Sequence, residues 1–117
     1  MRKIYHLASC NTCQRIIKEL GGPEGFDLQN IKEKNISDKE LDAIKAQTGS
    51  YESIFSRRAM KYRAMGLHEQ SLTEKDYKRL ILEEYTFLKR PVALIDGEYF
   101  VGNTKKVVAA AVQKLQE

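Results

Sequence analysis

The sequence contains no apolar stretch that approaches the roughly 20 residues needed for a membrane-spanning helix. Its first apolar run, residues 4–8, is short and is interrupted by His6, so it also lacks the apolar region of a secretory signal. We therefore expect a cytoplasmic protein with no membrane partner. The basic excess is small as well, with 20 Lys and Arg residues against 16 acidic residues. Because nucleic-acid binding requires basic charge clustered on one face, we expect no direct nucleic-acid partner.

Internal repeats, low-complexity stretches and linkers are also missing. Hydrophobic residues make up 42% of the chain and charged residues 31%, the balance of an ordinary globular protein. A length of 117 residues is typical of one domain. We expect a single domain over residues 1–117, and we expect it to be monomeric.

Cysteine and histidine are scarce, with two of each: Cys10, Cys13, His6 and His68. Two cysteines cannot form a disulfide framework, and a close pair in a reducing compartment is more often redox-active, catalytic or metal-binding. A zinc site needs four ligands, so the pair could be half of such a site only with both histidines. The other alternative is that Cys13 is simply a small buried side chain. We favour a redox function and predict no metal.

Hydrophobic periodicity predicts a strand over residues 3–7 and a helix over residues 12–20, with Ser9 or Asn11 as its cap. Gly21-Gly22-Pro23 ends that helix, and a weak second strand follows over 26–31. The β-α-β order of this half places both cysteines where a strand ends and a helix begins.

The remaining residues predict a helical block and then a hairpin. A capping box at Ser37–Glu40 opens a helix that ends near Gly49. A second helical segment is expected over 51–65 and a third from Thr73. Two short strands, over 92–95 and 99–101, flank an Asp-Gly turn, and a final helix covers 104–115.

This order of elements is that of the thioredoxin architecture. We predict an α/β fold with a four-stranded mixed sheet flanked by helices. The helical block, at about 37–87, is an insertion between the β-α-β and β-β-α halves.

The cysteine spacing favours thiol chemistry at the start of the first helix. Unpaired N–H groups and a positive helix dipole stabilise a thiolate there. Residues three apart share a helix face, so the two sulfurs can meet, with Cys10 as the nucleophile and Cys13 as the resolving thiol. His6 precedes Cys10 by four residues, and its imidazole, when protonated, would lower the pKa of Cys10. Equally, His6 could be a half-buried strand residue with no role.

Several arginines are candidates for binding a substrate. Pro91 suits the first position of a strand, and in thioredoxin-like folds this position holds a cis proline facing the cysteines. Arg90 would then point toward the thiol, where a guanidinium can bind an oxyanion or carboxylate. Arg57 and Arg58 lie in a basic cluster of the helical block, from which one arginine could reach Cys10. The alternative for each arginine is a solvated surface cation.

Three segments together resemble the glutaredoxin-linked arsenate reductases and their relatives, the Spx transcription regulators. They are Ile4–Cys10, Ser56–Leu67 and Leu88–Val92 with the hairpin that follows, and the resemblance covers nearly the whole chain. It implies that Cys10 attacks the substrate, that Arg58 or Arg57 acts with Arg90 to hold it, and that His6 tunes Cys10. It also implies no bound cofactor, glutathione as co-substrate, and glutaredoxin or thioredoxin as electron donor.

The chain departs from that pattern at three places. Cys13 and Gln14 stand where those enzymes usually have Ser and Arg, and no arginine occurs near 97–103. A site with less positive charge should bind a dianion less well. We therefore expect a thiol-dependent oxidoreductase acting on an oxyanion or disulfide, with Cys13 or glutathione resolving the intermediate. The alternative is an Spx-like redox regulator that binds the RNA polymerase alpha subunit.

Overall fold

The computed structural model describes all 117 residues. A mixed sheet of four strands has the order β2-β1-β3-β4. Strand β1 runs parallel to β2 and antiparallel to β3, and β3 and β4 are antiparallel. The predicted four-stranded mixed sheet is thereby confirmed, with the strands β1 Arg2–His6, β2 Asp27–Asn30, β3 Val92–Ile95 and β4 Glu98–Val101.

Two helices lie on one face of this sheet. Helix α1 spans Asn11–Glu19 and helix α5 spans Lys105–Leu115. Their buried faces follow the helical period and meet the inward side chains of β1, β3 and β4 in a single apolar cluster. Its buried members are Ile4, Ile16, Ile17, Leu20, Ala93, Ile95, Phe100, Val108 and Ala111.

The two ends of α1 have different backbone features, and the N-terminal end carries Cys10. At its C-terminus the chain leaves through Gly21 and Gly22, whose φ angles of 102° and 91° are unfavourable for other residues. At its N-terminus the capping position is Cys10, and no side chain caps the helix. The expected cap by Ser9 or Asn11 is therefore wrong. Its absence leaves the first N–H groups of α1 available to the cysteine sulfur.

The hairpin of β3 and β4 has the predicted turn. Asp96 and Gly97 have φ angles of 50° and 93°, which is the backbone that a two-residue hairpin loop requires. The Asp96 carboxylate also lies 3.3 Å from the Arg2 guanidinium of β1. The hairpin is thus joined to β1 both by the β1–β3 pairing and by this ion pair.

The helical block differs from the prediction in its second segment. Helices α2 (Asp38–Thr48), α3 (Met60–Ala64) and α4 (Glu74–Glu83) are present, but no continuous helix covers 51–65. A 3₁₀ turn over Glu52–Ile54 is followed by Phe55, which forms an isolated antiparallel bridge with Leu88. The Ser56 amide donates to the Phe87 carbonyl at 2.7 Å. These backbone groups are paired with residues distant in sequence, so they are not available for helical hydrogen bonds. Tertiary structure here overrides the local helix propensity.

The chain divides into two compact units. One contains Met1–Lys34 and Arg90–Glu117, and the other contains Asn35–Lys89. The second unit has its own core, in which the ring of Phe55 stacks on Phe87 at 4.9 Å and meets Tyr77 edge-on at 5.0 Å. Of the helices, none is long and apolar enough to cross a membrane. The assignment of residues 1–117 to a single domain stays a prediction.

Replacement of Ser37 by alanine tests the start of α2. The Ser37 hydroxyl accepts from the Glu40 amide at 3.1 Å, and the Glu40 carboxylate accepts from the Ser37 amide at 2.9 Å. We expect Ser37→Ala to lower the free energy of unfolding by about 1 kcal/mol in urea titrations. Lys39→Ala changes an exposed residue of the same turn and serves as the control. Equal losses in the two variants would contradict the capping role.

Candidate active site

Cys10 lies at the junction between β1 and α1. Its backbone is extended, with φ −91° and ψ 113°. Its amide donates to the Leu7 carbonyl at 3.0 Å, and its own carbonyl accepts from the Gln14 amide at 3.1 Å. These bonds fix the loop that carries the residue and leave its side chain partly exposed. The Cys10 sulfur is therefore held in place and still accessible from outside.

Cys13 lies one turn into α1 and is fully buried, with 0% of its surface exposed. Its thiol hydrogen-bonds the Cys10 sulfur, and the Leu7 backbone also hydrogen-bonds it. Both cysteines are free thiols. The two sulfurs therefore lie together, and the roles assigned to them stay predictions.

The surroundings of Cys10 favour its thiolate. Burial by itself raises the pKa of Cys10, but the Cys13 backbone N–H, the Cys13 thiol and the Thr12 backbone N–H hydrogen-bond the sulfur, and the Arg90 charge adds to their effect. Together these interactions bring the pKa of Cys10 below its ordinary value. The two N–H groups belong to the uncapped first turn of α1, as expected for a thiolate at a helix N-terminus.

The surroundings of Cys13 favour its protonated form. Burial raises the pKa of Cys13 to about 11, and the neighbouring Cys10 thiolate adds to the rise. Cys13 is therefore protonated at neutral pH, and as the pH rises the pair loses its first proton from Cys10. This division suits an outer nucleophile and an inner thiol that reacts second.

Arg90 and Pro91 precede β3 in the same compact unit as the cysteines. The Arg90–Pro91 peptide bond is cis, which confirms the prediction from the thioredoxin-like architecture. The buried Pro91 accepts a hydrogen bond on its carbonyl from the Gly102 amide at 2.9 Å. The charge of Arg90 lowers the pKa of both cysteines. The structure thus brings Cys10, Cys13 and Arg90 together.

His6, at the end of β1, is buried, with 8% of its surface exposed, and its Nδ1 atom has no hydrogen-bond partner. Burial lowers the pKa of His6, and the Glu33 carboxylate only partly opposes this. The imidazole is therefore neutral at neutral pH, and the permanent positive charge next to Cys10 comes from Arg90. A direct role of His6 in the chemistry stays a prediction.

Arg57 and Arg58 lie in the second compact unit and have different surroundings. The Arg57 guanidinium is 2.6 Å from the Glu52 carboxylate and donates to the Tyr77 hydroxyl at 3.0 Å. Its pKa is raised, first by the hydrogen bond to Glu52. Arg58 is exposed in the turn before α3. Both arginines are thus exposed, but the Arg57 guanidinium is hydrogen-bonded within its own unit.

Gln14 was not singled out as a site residue by its sequence position. Its side-chain amide donates to the Ala8 carbonyl at 2.5 Å, which joins the first turn of α1 to the loop that carries Cys10. The only signal in the sequence is a long amide side chain within one turn of a loop whose carbonyls lack strand partners. His, Cys, Asp and Glu side chains form no group of three or more that could hold a metal ion.

The chain is similar to known proteins in sequence and in fold. The model of the ArsC family matches residues 5–111. A solved structure named YFFB (PA3664) protein is similar with a TM-score of 0.78 and 22% identity, over 96% of this chain and 99% of that one. An arsenate reductase from Vibrio cholerae is similar with a TM-score of 0.76 and 16% identity, over 96% and 95% of the two chains.

A third solved structure, of an arsenate reductase (ArsC) related protein from Brucella melitensis, has a TM-score of 0.68 and 20% identity, over 93% of this chain and 92% of that one. No curated protein sequence matches the chain. At these identities the structural likeness establishes the fold, and the predicted thioredoxin-like architecture is confirmed.

Titration of the two thiols by thiolate absorbance tests the electrostatics of the pair. We expect one group to titrate below the ~8.5 of a free cysteine and the other at about 11. Arg90→Gln should raise the lower value, because the thiolate loses a neighbouring cation. Lys89→Gln removes an exposed cation one residue earlier and is the control. A lower value unchanged by Arg90→Gln would contradict the assigned contact.

The burial of neutral His6 predicts a dependence of stability on pH. The pKa of His6 is lower in the folded chain than its ordinary ~6.5, so the unfolded chain binds a proton more readily as the pH falls below that value. The free energy of unfolding should therefore fall from pH 7.5 to pH 5, and His6→Gln should lose less over the same interval. Urea titrations at both pH values measure this. Equal losses in parent and variant would contradict it.

Proposed function

The chain belongs to the ArsC family, and we propose that it is a thiol-dependent reductase with Cys10 as its nucleophile and Cys13 as its resolving thiol. The observation that carries this proposal is the asymmetry of the pair. Cys10 is accessible with a lowered pKa, whereas Cys13 is buried, hydrogen-bonded to Cys10 and protonated. A purely structural role would explain the burial of Cys13, but it would not explain the stabilised thiolate of Cys10 beside it.

With a disulfide substrate, the Cys10 thiolate attacks one sulfur and the other leaves as a thiolate that takes up a proton. Cys13 then gives up its proton and attacks the Cys10 sulfur. The mixed disulfide breaks, the second substrate thiol is released, and a Cys10–Cys13 disulfide forms. The substrate gains two electrons from the cysteine pair and two protons, one from Cys13 and one from solvent, because Cys10 reacts as a thiolate. Glutathione could replace Cys13 in the second attack.

With an oxyanion such as arsenate, Cys10 forms a covalent sulfur adduct and a water molecule leaves. Attack on the Cys10 sulfur by Cys13 or glutathione then transfers two electrons to the central atom and releases the reduced oxyanion. The charge of Arg90 acts on both sulfurs, and a guanidinium suits an oxyanion because it donates two parallel hydrogen bonds. Both arginines are exposed, and Arg58 rather than Arg57 is the second candidate because the Arg57 guanidinium is already bonded to Glu52.

The test measures turnover on arsenate and on small disulfides, with glutathione, glutaredoxin and thioredoxin supplied separately as electron donors. We expect Cys10→Ser to abolish turnover on every substrate that the parent reduces. Cys13→Ser should accumulate a mixed disulfide on Cys10, detectable by mass spectrometry, because the resolving thiol is missing. The proposal fails if Cys10→Ser turns over at the parent rate, or if the parent reduces neither substrate class with any donor.

Variants of Arg57 and Arg58 can be compared to find which of the two arginines binds the substrate. If the substrate is an oxyanion, Arg58→Gln should raise KM while leaving the midpoint of urea unfolding unchanged. Arg57→Gln should instead lower that midpoint, because the Tyr77 hydroxyl loses its donor and Glu52 loses its partner. The reverse pattern would show that Arg57 binds the substrate.

A second candidate function, a redox-sensing regulator that binds the RNA polymerase alpha subunit, is favoured by the surface of α3. Met60 is 90% exposed, and Arg58 and Arg63 are exposed beside it. An exposed apolar side chain among cations suits an acidic protein surface. Co-purification with the alpha subunit, under oxidant and under reductant, separates this candidate from the reductase. Absence of binding in both states removes it.

A further inference from the structure

The turn that carries Cys10 is not fixed in its middle by apolar packing. It runs from Leu7 to Cys10 and is closed by the hydrogen bond from the Cys10 amide to the Leu7 carbonyl at 3.0 Å. Leu7 is buried, but the next two residues, Ala8 and Ser9, are small and exposed. The position of these two residues is therefore determined by the hydrogen bonds that the turn makes.

Gln14 of α1 hydrogen-bonds this turn at two points. Its backbone amide donates to the Cys10 carbonyl at 3.1 Å, and its side-chain amide donates to the Ala8 carbonyl at 2.5 Å. Between these two carbonyls lie only the Cα atoms of Ser9 and Cys10, and the second of them carries the reactive sulfur. The amide of Ala8 also donates to the side-chain oxygen of Asn30, at the end of β2, at 3.4 Å. Side chains from α1 and β2 thus hold Ala8 from two sides.

The position of this turn decides which groups the Cys10 sulfur meets. The sulfur accepts hydrogen bonds from the backbone N–H groups of Thr12 and Cys13, and both donors belong to the first turn of α1. Hydrogen bonds weaken steeply when the distance lengthens or the angle bends. A small rotation of the backbone before Cys10 would therefore move the sulfur away from both donors at once.

We propose that Gln14 is a positioning residue for the Cys10 nucleophile, and that its bond to the Ala8 carbonyl keeps the Cys10 sulfur on the N–H groups of the first helical turn. The proposal rests on the reductase function above, in which Cys10 attacks the substrate. Gln14 bonds the backbone of the turn rather than the sulfur, so it acts through the position of Cys10. The alternative is a surface hydrogen bond that only stabilises α1.

The exposure of the turn makes the proposal testable in folded variants. Gln14 and Ala8 are both exposed, so water replaces the lost donor when Gln14 is substituted, and no buried carbonyl is left without a partner. Gln14→Met removes the donor but keeps the side chain neutral and of similar length. Gln14→Asn keeps the amide but shortens the side chain by about 1.5 Å, one carbon–carbon bond, so the amide no longer reaches the Ala8 carbonyl.

The experiment follows the alkylation of the reduced full chain by iodoacetamide as a function of pH, with mass spectrometry to show that Cys10 is the residue modified. Gln14→Met and Gln14→Asn should each raise the midpoint of this profile by about half a pH unit, because the thiolate loses part of its hydrogen bonding. Gln113→Met makes the same change at an exposed glutamine of α5 and should leave the midpoint where it is. Urea titrations of each variant show that it is folded.

Gln14→Arg serves as the rescue variant, because a guanidinium restores a donor of at least equal reach. Its charge would also stabilise a thiolate, so the parent and all variants are compared in 1 M salt, where the Debye length is about 3 Å. We expect the midpoint for Gln14→Arg to return to that of the parent or below it. A midpoint as high as that of Gln14→Met would overturn the proposal, because a restored donor should restore the position of the sulfur.

Three further outcomes would also overturn the positioning role. They are an unchanged profile in Gln14→Met and Gln14→Asn, an equal shift in Gln113→Met, and a loss of stability in the Gln14 variants without any shift of the midpoint. The last outcome would show a bond that is only structural. Failure of the reductase function is observed separately, as full activity of Cys10→Ser or as absence of turnover by the parent, because alkylation requires no substrate or electron donor.

Discussion

The thiol chemistry proposed for this chain depends on the N-terminus of α1, which no hydroxyl or carboxylate caps. A side-chain cap would satisfy the first N–H groups of the helix, as Ser37 does for α2. Here the capping position is Cys10 itself, and the N–H groups of Thr12 and Cys13 hydrogen-bond its sulfur. A cap contributes roughly 0.5–2 kcal/mol to the stability of a helix. At α1 these N–H groups hydrogen-bond the Cys10 sulfur instead of a hydroxyl or carboxylate, and α1 also packs on the sheet.

The two thiols differ because the same helix places them at different depths. Cys10 precedes the first turn and is partly exposed, and Cys13 faces the interior one turn later. Burial opposes ionisation at both sulfurs, but only Cys10 receives enough hydrogen bonds to overcome it. Spacing along one helix therefore determines which sulfur an external molecule can reach, and it is the basis for the order of the two attacks proposed above.

Local patterns predicted most of the fold. The Asp96-Gly97 hairpin and the proximity of Cys10 and Cys13 depend on residues close in sequence, and the structure has both. The extended backbone at Phe55 was missed because its partner, Leu88, is distant in sequence. The protonation state of His6 was left open for a related reason, since burial is a property of the folded chain and spacing alone does not determine it.

The source of positive charge decides how the thiolate responds to pH. A protonated histidine beside Cys10 would lose its charge as the pH rises through about 6.5. Above that pH it would no longer stabilise the thiolate. The Arg90 guanidinium stays charged throughout this range. With His6 neutral and Arg90 constant, the pair keeps one thiolate and one thiol between the lowered pKa of Cys10 and the value of about 11 for Cys13. Within that interval the protonation of the two thiols does not change with pH, so only oxidation alters the pair.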